Sequence, residues 1–227
     1  MKRADSDFRI CEGHLARVSR TFALNIRVLR GDVYRAMLLA YLLCRIADTI
    51  EDEPSLPPEA KIAGLQAFAD LFPPDPGRPA PVTDFLRSLD FPGTGPDADL
   101  LFDTPRVFRE FLKLPAHART AISERVREMS LGMASFQRTC SGGLVTLADR
   151  EELERYCYYV AGTVGLMITE LFFPGGQGGV LPDSTRQALV SRSVAFGLGL
   201  QMTNIAKDYM GDLRRGWCYV PRSYFDD

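Results

Sequence analysis

Apolar residues recur with the 3.6-residue period of an α-helix along nearly the whole chain, and no segment shows the strict alternation of a half-buried strand. The clearest case is YRAMLLAYLLCRIADTIED, residues 34–52, which is apolar enough for a buried helix. Pro and Gly separate the helical segments, because neither residue continues a helix readily. The sequence therefore predicts an all-α fold.

The helix boundaries follow from these breaks. Asp32 is the expected N-cap of the helix that ends near Asp52. For residues 72–95, which are rich in Pro and Gly, we predict short helix at best. The other helices are predicted over residues 6–20, 59–71, 105–112, 115–140, 147–173 and 183–213. No period repeats and no long polar linker interrupts the chain, so we predict one domain over residues 1–227.

Composition excludes several classes of function. The formal net charge of -2 gives no support for nucleic-acid binding, which needs a basic surface. The five cysteines include no CxxC pair, which argues against a structural zinc site and indicates a reducing compartment. The N-terminus lacks the apolar segment of a secretory signal, and the apolar runs are shorter than a membrane span. We therefore expect a cytoplasmic protein, and peripheral membrane contact stays open.

The helix over residues 34–52 carries carboxylates at its C-terminal end, where the helix dipole disfavours each by roughly 0.3–1 kcal/mol. Tyr41, Arg45, Asp48 and Asp52 are spaced 4, 3 and 4 residues apart, so they share one helix face, which Glu51 flanks. Arg45 alone does not offset these negative charges. A bound cation is the expected compensation.

A second polar stripe lies on the last long helix. Its members are Gln201, Asn204, Asp208 and Asp212, spaced 3, 4 and 4 residues apart among apolar neighbours. Polar groups in apolar surroundings need partners or a ligand. If the two helices face each other, their carboxylates form the hard oxygen site that Mg²⁺ prefers. A di-iron site is the rival interpretation, but it needs Glu-x-x-His pairs, and His14 and His117 are remote in sequence.

These motifs resemble those of the squalene/phytoene synthase family, head-to-head prenyltransferases with an all-α isoprenoid-synthase fold. The resemblance covers most of the chain and follows the family's motif order. The matching segments are SRTF (19–22), YLLCRIADTIED (41–52), LGMASF (131–136), YCYYVAGTVG (156–165) and QMTNIAKDYMGDLRRGWCYVP (201–221). A helical bundle around a central apolar cavity is the fold that this resemblance implies.

The resemblance also implies roles for individual residues. Two or three Mg²⁺ ions, bridged to two diphosphates, would be held by Asp48, Glu51, Asp52, Asp208 and Asp212. Tyr159 would lie beside the reacting carbons and act in catalysis together with the four aspartates. The substrate contacts that it implies are Ser19, Arg20, Phe22, Tyr41, Arg45, Gln201, Asn204 and Lys207, with both arginines on diphosphate oxygens. Gly211 stands where many squalene synthases carry another acidic residue, which removes one outer carboxylate.

The implied reaction condenses two farnesyl diphosphates through presqualene diphosphate to squalene, with NADPH as the hydride donor of the last step. No GxGxxG motif follows a strand, so a nicotinamide would bind without a Rossmann unit. Sister products stay open: hydroxysqualene, dehydrosqualene or phytoene. A non-catalytic scaffold role is the other alternative, although both carboxylate stripes are intact.

Further expectations concern the C-terminal helices, the oligomeric state and membrane contact. The chain ends soon after the second carboxylate stripe, so we expect it to lack the C-terminal helices of its family. We expect a monomer or weak dimer that could touch a membrane surface when an apolar product leaves.

Overall fold

The computed structural model describes residues 4–19, 21–73, 81–137, 145–174 and 181–224. Its α-helices are α1 (Ala4–Val18), α2 (Thr21–Arg27), α3 (Gly31–Asp52), α4 (Pro58–Ala69), α5 (Val82–Ser88), α6 (Pro96–Phe102), α7 (Thr104–Phe111), α8 (Ala116–Gln137), α9 (Arg150–Cys157), α10 (Thr163–Phe172) and α11 (Asp183–Arg214). A π-helical turn, Tyr158–Gly162, joins α9 to α10, and a 3₁₀ turn covers Arg222–Tyr224. The prediction of an all-α fold is confirmed.

Two local predictions differ from the structure. Arg30, in an extended conformation, is the N-cap of α3, and Gly31 opens the helix with a φ of +60°. The prediction of Asp32 as N-cap is therefore wrong, and Asp32 lies in the first turn, where the helix dipole favours a carboxylate. The short helices α2 and α6 were not predicted, since seven residues hold little periodic signal.

Helix α3 lies at the centre of the main core, where it packs against α1, α4, α6, α7 and α8. Its fully buried side chains include Leu38, Leu39, Leu42, Leu43, Ile46 and Ile50. Five phenylalanines extend this core between α4, α5 and α7: Phe68, Phe72, Phe85, Phe108 and Phe111. Burial of the other faces leaves the side of α3 with Arg45 and Asp48, which the periodicity predicted to share one face, as its less buried side.

A smaller core joins the end of α8 to α9 and α11. Its buried members are Phe136, Leu147, Leu153, Tyr156, Cys157, Ile205 and Tyr219. Beside it, β1 (Val145–Thr146) pairs in parallel with β2 (Trp217–Cys218). The chain after α11 is thereby fixed against the chain after α8.

No helix in the described part of the chain is both long enough and apolar enough to cross a bilayer.

Helix α11 approaches the π-helical turn closely at Gly197. A Cβ atom built there would lie 2.5 Å from the carbonyl oxygen of Ala161 and 3.0 Å from the Cα of Gly162. Both are backbone atoms, which cannot move aside as the end of a flexible side chain can. The absence of a side chain at Gly197 therefore sets the distance between these two elements.

Gly197→Ala is expected to destabilise the fold by about 1–3 kcal/mol, because the added methyl group overpacks a backbone contact. Gly199→Ala, in the same helix, is the matched control, since a Cβ there meets nothing within 4 Å. That control should stabilise the fold by up to about 1 kcal/mol through helix propensity. Urea unfolding measures both, and equal effects of the two substitutions would contradict the close approach.

Candidate active site

The C-terminal ends of α3 and α11 bring carboxylates and cations together. Asp212 is only 5% exposed and accepts a hydrogen bond from Arg215, with 2.5 Å between Nη2 and Oδ1. Asp52 is exposed at the end of α3, yet the surrounding protein raises the pKa of its carboxyl, an effect that Arg215 opposes and Asp212 strengthens. Asp52 is thus within electrostatic range of both residues. This links the last carboxylate of the first stripe, Asp52, to the last carboxylate of the second, Asp212.

The other carboxylates of α3 crowd the same region. Desolvation and the charge of Asp52 raise the pKa of Asp48 to about 7, although Arg45 opposes the shift. Glu51 is 4% exposed, and burial together with the charges of Asp52 and Asp48 raises its pKa well above the ordinary value. Lys61 opposes this second shift but does not cancel it. Burial is the main cause of both pKa shifts, and repulsion between the neighbouring carboxylates adds to it.

The raised pKa of Asp48 predicts a pH dependence of stability without added Mg²⁺. The folded state retains the proton between about pH 4 and pH 7 while the unfolded state releases it, so stability falls as pH rises through this window. We expect a loss of about 1–2 kcal/mol from Asp48, reduced from the full shift because its side chain is one-third exposed.

Asp48→Asn should remove this pH-dependent loss of stability and so raise the free energy of unfolding at neutral pH. Urea unfolding across the pH window measures it, with Asp70→Asn as a control on an exposed aspartate at the end of α4. If the slope of Asp48→Asn matched that of the unchanged chain, the desolvation of Asp48 would be refuted.

Arg45 has a partner that the sequence did not reveal. Its Nε lies 2.9 Å from Asp97 Oδ1 and its Nη2 lies 3.2 Å from Asp97 Oδ2, a bidentate pair. Asp97 lies in the first turn of α6, and a pocket of about 170 Å³ opens between Arg45, Asp52 and Asp97. The only sequence signal for Asp97 is the Pro-Asp dipeptide at residues 96–97, which is of the kind that begins helices.

Lys61 and Gln137 were also missed by the sequence interpretation. The Nζ of Lys61 donates to the backbone carbonyl of Glu51 and lies 5.2 Å from the ring centroid of Trp217. Gln137, the last residue of α8, donates from Nε2 to Glu51 Oε1 over 3.4 Å. Glu51 is therefore held from α4 and α8 at once, and no local pattern links residues so distant in sequence.

Two stacked tyrosine rings lie near the carboxylates of α3. The rings of Tyr156 and Tyr219 are 4.6 Å apart, and the hydroxyl of Tyr156 donates to that of Tyr219 over 3.0 Å. Burial, with the charge of Glu51 next, raises the pKa of both phenols well above the ordinary value. Both residues lie inside motifs that carried the family resemblance, and that position was the available signal.

A cavity of about 750 Å³ runs along one face of α8. Its lining includes Leu131, Gly132, Ser135 and Tyr159 together with the charged Arg125 and Glu128. Tyr159 therefore lies in a cavity whose lining mixes apolar and charged residues.

The second stripe is less buried than predicted. Asn204, Lys207 and Asp208 are exposed, and only Asp212 is buried. Gln201 is half-buried and accepts from Asn204 over 3.5 Å. The prediction of apolar surroundings is wrong at Asn204 and Asp208, because no element in the described residues covers that side of α11. Within the same residues, no three His, Cys, Asp or Glu side chains already form a group that could hold a metal ion.

The remaining predicted residues are Ser19 and Phe22, at the start of α2, and Tyr41, on the side of α3 that faces α2. Ser19 is buried and its Oγ accepts from the amide of Ala23 over 3.1 Å. The hydroxyl of Tyr41 donates to the carbonyl of Val18 over 3.3 Å, and its ring lies 5.9 Å from that of the exposed Phe22. Arg20 lies outside the described residues.

Comparisons with known proteins identify the family of this chain. A family model described as squalene/phytoene synthase matches residues 15–227. Squalene synthase of Homo sapiens is 31% identical over 218 residues, which are 96% of this chain and 47% of that protein. Squalene synthase 1 of Arabidopsis thaliana is 35% identical over 213 residues, 94% of this chain and 46% of that protein.

Among solved structures, the complex of TcSQS with the ligand BPH1237 has a TM-score of 0.76 and 28% identity, and the match covers 98% of this chain and 61% of that one. The complex of TcSQS with E5700 has a TM-score of 0.74 and 29% identity, over 96% of this chain and 57% of that one. The chain thus spans about half the length of the curated relatives it matches. Its sequence motifs, its helical fold and the family model agree, and the chain belongs to the squalene/phytoene synthase family.

Proposed function

We propose that this chain is a prenyltransferase that condenses two farnesyl diphosphates head to head, through presqualene diphosphate, to squalene. The observation that carries the proposal is the pocket at the end of α3 that Arg45, Asp52 and Asp97 line, where the charges of Arg215 and Asp212 also act on the carboxyl of Asp52. Carboxylates from α3 and α6 and an arginine therefore line one pocket. With a cation bound, such a site would suit a charged diphosphate, and the cavity along α8 that contains Tyr159 would take a long apolar chain.

Carboxylate oxygens are the hard ligands that divalent magnesium prefers, and a bound cation would offset the desolvation and mutual repulsion that raise the pKa of Asp48 and Glu51. The residues that would hold it are Asp48, Glu51, Asp52, Asp208 and Asp212. When bound, Mg²⁺ would supply charge that stabilises the departing diphosphate.

The chain's own side chains would bind and orient the substrate. Arg45 and Arg20 would contact diphosphate oxygens, a geometry that suits the planar guanidinium, and Arg45 would exchange its pair with Asp97 for one with the diphosphate. Further polar contacts would come from Ser19, Gln201, Asn204 and Lys207. Phe22 and Tyr41 would contact the prenyl chain with their rings.

The protein would also have to exclude water from the reacting carbons. Ionisation of an allylic diphosphate leaves a carbocation, which water would quench. Leu131 and the ring of Tyr159, in the cavity along α8, would protect it. Tyr159 would lie beside the reacting carbons.

Product analysis tests the proposal. The protein is incubated with labelled farnesyl diphosphate or, separately, labelled geranylgeranyl diphosphate, with Mg²⁺ or with EDTA, and with or without NADPH. Squalene formed only with both Mg²⁺ and NADPH is the expected result. Hydroxysqualene or dehydrosqualene in its place, or phytoene from geranylgeranyl diphosphate, would move the function to a sister synthase. No turnover and no Mg²⁺-dependent binding of a farnesyl diphosphate analogue would favour a scaffold role.

A further inference from the structure

We propose that Tyr158, Glu128, Arg125 and Glu170 form a positioning network that holds the ring of Tyr159 in the cavity. This inference rests on the proposed function, in which Tyr159 lies beside the reacting carbons. None of the four network residues belongs to the carboxylate stripes or to the predicted substrate contacts. They would act on the reaction only through Tyr159.

The network joins three elements by charged hydrogen bonds. The hydroxyl of Tyr158 donates to Glu128 Oε1 over 2.7 Å. Arg125 donates from Nη1 to Glu128 Oε2 and from Nη2 to Glu170 Oε1, each over 2.8 Å. The side chains of this ion triad are 19–31% exposed, so the contacts are partly shielded from solvent. Tyr158 is thus tied to α8, and α8 to α10.

Tyr158 also begins the π-helical turn, and Tyr159 follows it. Thr163 donates its amide to the carbonyl of Tyr158, five residues earlier, as the wider turn requires. Its hydroxyl donates to the carbonyl of Tyr159 over 2.7 Å. Thr163 is fully buried, so this bond is protected from water. The first two residues of the turn are therefore held at both their backbone and their side chains.

The ring of Tyr159 lies directly on the backbone of α8 at Gly132. A Cβ built at Gly132 would collide with the ring carbons of Tyr159, so only glycine allows this position. Gly132 follows Glu128 by four residues, and the two therefore share one face of α8. Adjacent tyrosines thus contact adjacent turns of the same helix, Tyr158 by a hydrogen bond and Tyr159 by its ring.

This arrangement couples the two tyrosines. Their rings are 5.6 Å apart in an edge-to-face orientation. Burial, and then the hydrogen bond to Glu128, raises the pKa of Tyr158 to about 12, so its hydroxyl stays a donor at neutral pH. If the bond to Glu128 is removed, the start of the turn loses its attachment to α8, and the ring of Tyr159 is no longer confined over Gly132.

The test compares Tyr158→Phe, Glu128→Gln, Tyr159→Phe and the double variant Tyr158→Phe/Tyr159→Phe in the full chain. Tyr158→Phe and Glu128→Gln should each lower kcat for farnesyl diphosphate about tenfold, with KM changed less than twofold, because they disturb position and not binding. In the Tyr159→Phe background, Tyr158→Phe should cause no further loss. Glu154→Gln, in an exposed pair with Arg150 on α9, is the matched control and should leave kcat unchanged.

A merely structural role gives a different result. Tyr158→Phe would then lower kcat by the same factor whether or not Tyr159 is present, and that outcome would overturn the proposal. Amide hydrogen exchange of the segment 156–166 gives a second readout that needs no turnover. Exchange should be faster in Tyr158→Phe and unchanged in Glu154→Gln. Unaltered exchange in Tyr158→Phe would overturn the positioning role even in a chain that fails to convert farnesyl diphosphate, so the two failures are separable.

Discussion

Asp52→Asn is expected to lower kcat/KM for farnesyl diphosphate by about 10²–10³-fold, the usual effect of removing one charge-stabilising group. Asn keeps the size of the side chain but removes the negative charge where α3 meets Asp212 and Arg215. Steady-state product formation at saturating Mg²⁺ measures the loss. We expect this substitution to have the largest effect on activity, since Asp52 is the residue of the first stripe on which the charges of Asp212 and Arg215 act.

Unfolding does not explain the expected loss. Because the raised pKa shows that the folded protein disfavours the charged form of Asp52, the neutral Asn should leave stability equal or higher at neutral pH. Asp70→Asn makes the same chemical change at an exposed residue after α4 and should keep activity within about twofold. An Asp52→Asn variant with nearly full activity would remove Asp52 from the site.

Phe68→Ala is expected to lower the free energy of unfolding by about 3–5 kcal/mol, through lost burial and the cavity left behind. Phe68 on α4 has no solvent-exposed surface, and its ring centroid is 5.4 Å from those of Phe72 and Phe85. Helix α4 packs against α8 and carries the Lys61 that contacts Glu51. The substitution therefore weakens the support of the site as well as the core.

Urea unfolding of Phe68→Ala beside Phe102→Ala measures this effect. Phe102 is 51% exposed at the end of α6, so its truncation should change stability by less than about 1 kcal/mol. Similar effects of the two substitutions on the free energy of unfolding would contradict the burial of Phe68 in the aromatic core between α4, α5 and α7.

Local chemistry made much of α3 predictable. The apolar period identified its buried face, and the prolines after Asp52 ended the helix where it was expected. The same spacing placed Arg45, Asp48 and Asp52 on the less buried side. Short elements gave weaker signals: α2 and α6 have seven residues each, too few to show a period.

The contacts around the carboxylates were not predictable in this way. Asp97 pairs with Arg45 across 52 positions of the chain, and Gln137 contacts Glu51 across 86. No helical period relates residues so far apart, because their meeting depends on how whole helices pack. The exposure of Asn204 and Asp208 has the same origin, since only the packing of α11 shows which of its sides is covered.

The sequence by itself therefore determined the helical class, the two carboxylate stripes and the family, because side-chain period and motif order are local properties. Tertiary structure alone decided that the charge of Asp212 acts on Asp52, that Lys61 and Gln137 contact Glu51, and that Tyr159 lies over Gly132. Packing of α3 against α4 and α8 brings Lys61 and Gln137 to Glu51, and burial then shifts the pKa of Asp48 and Glu51. Desolvation is a property of the folded neighbourhood, which no single segment contains.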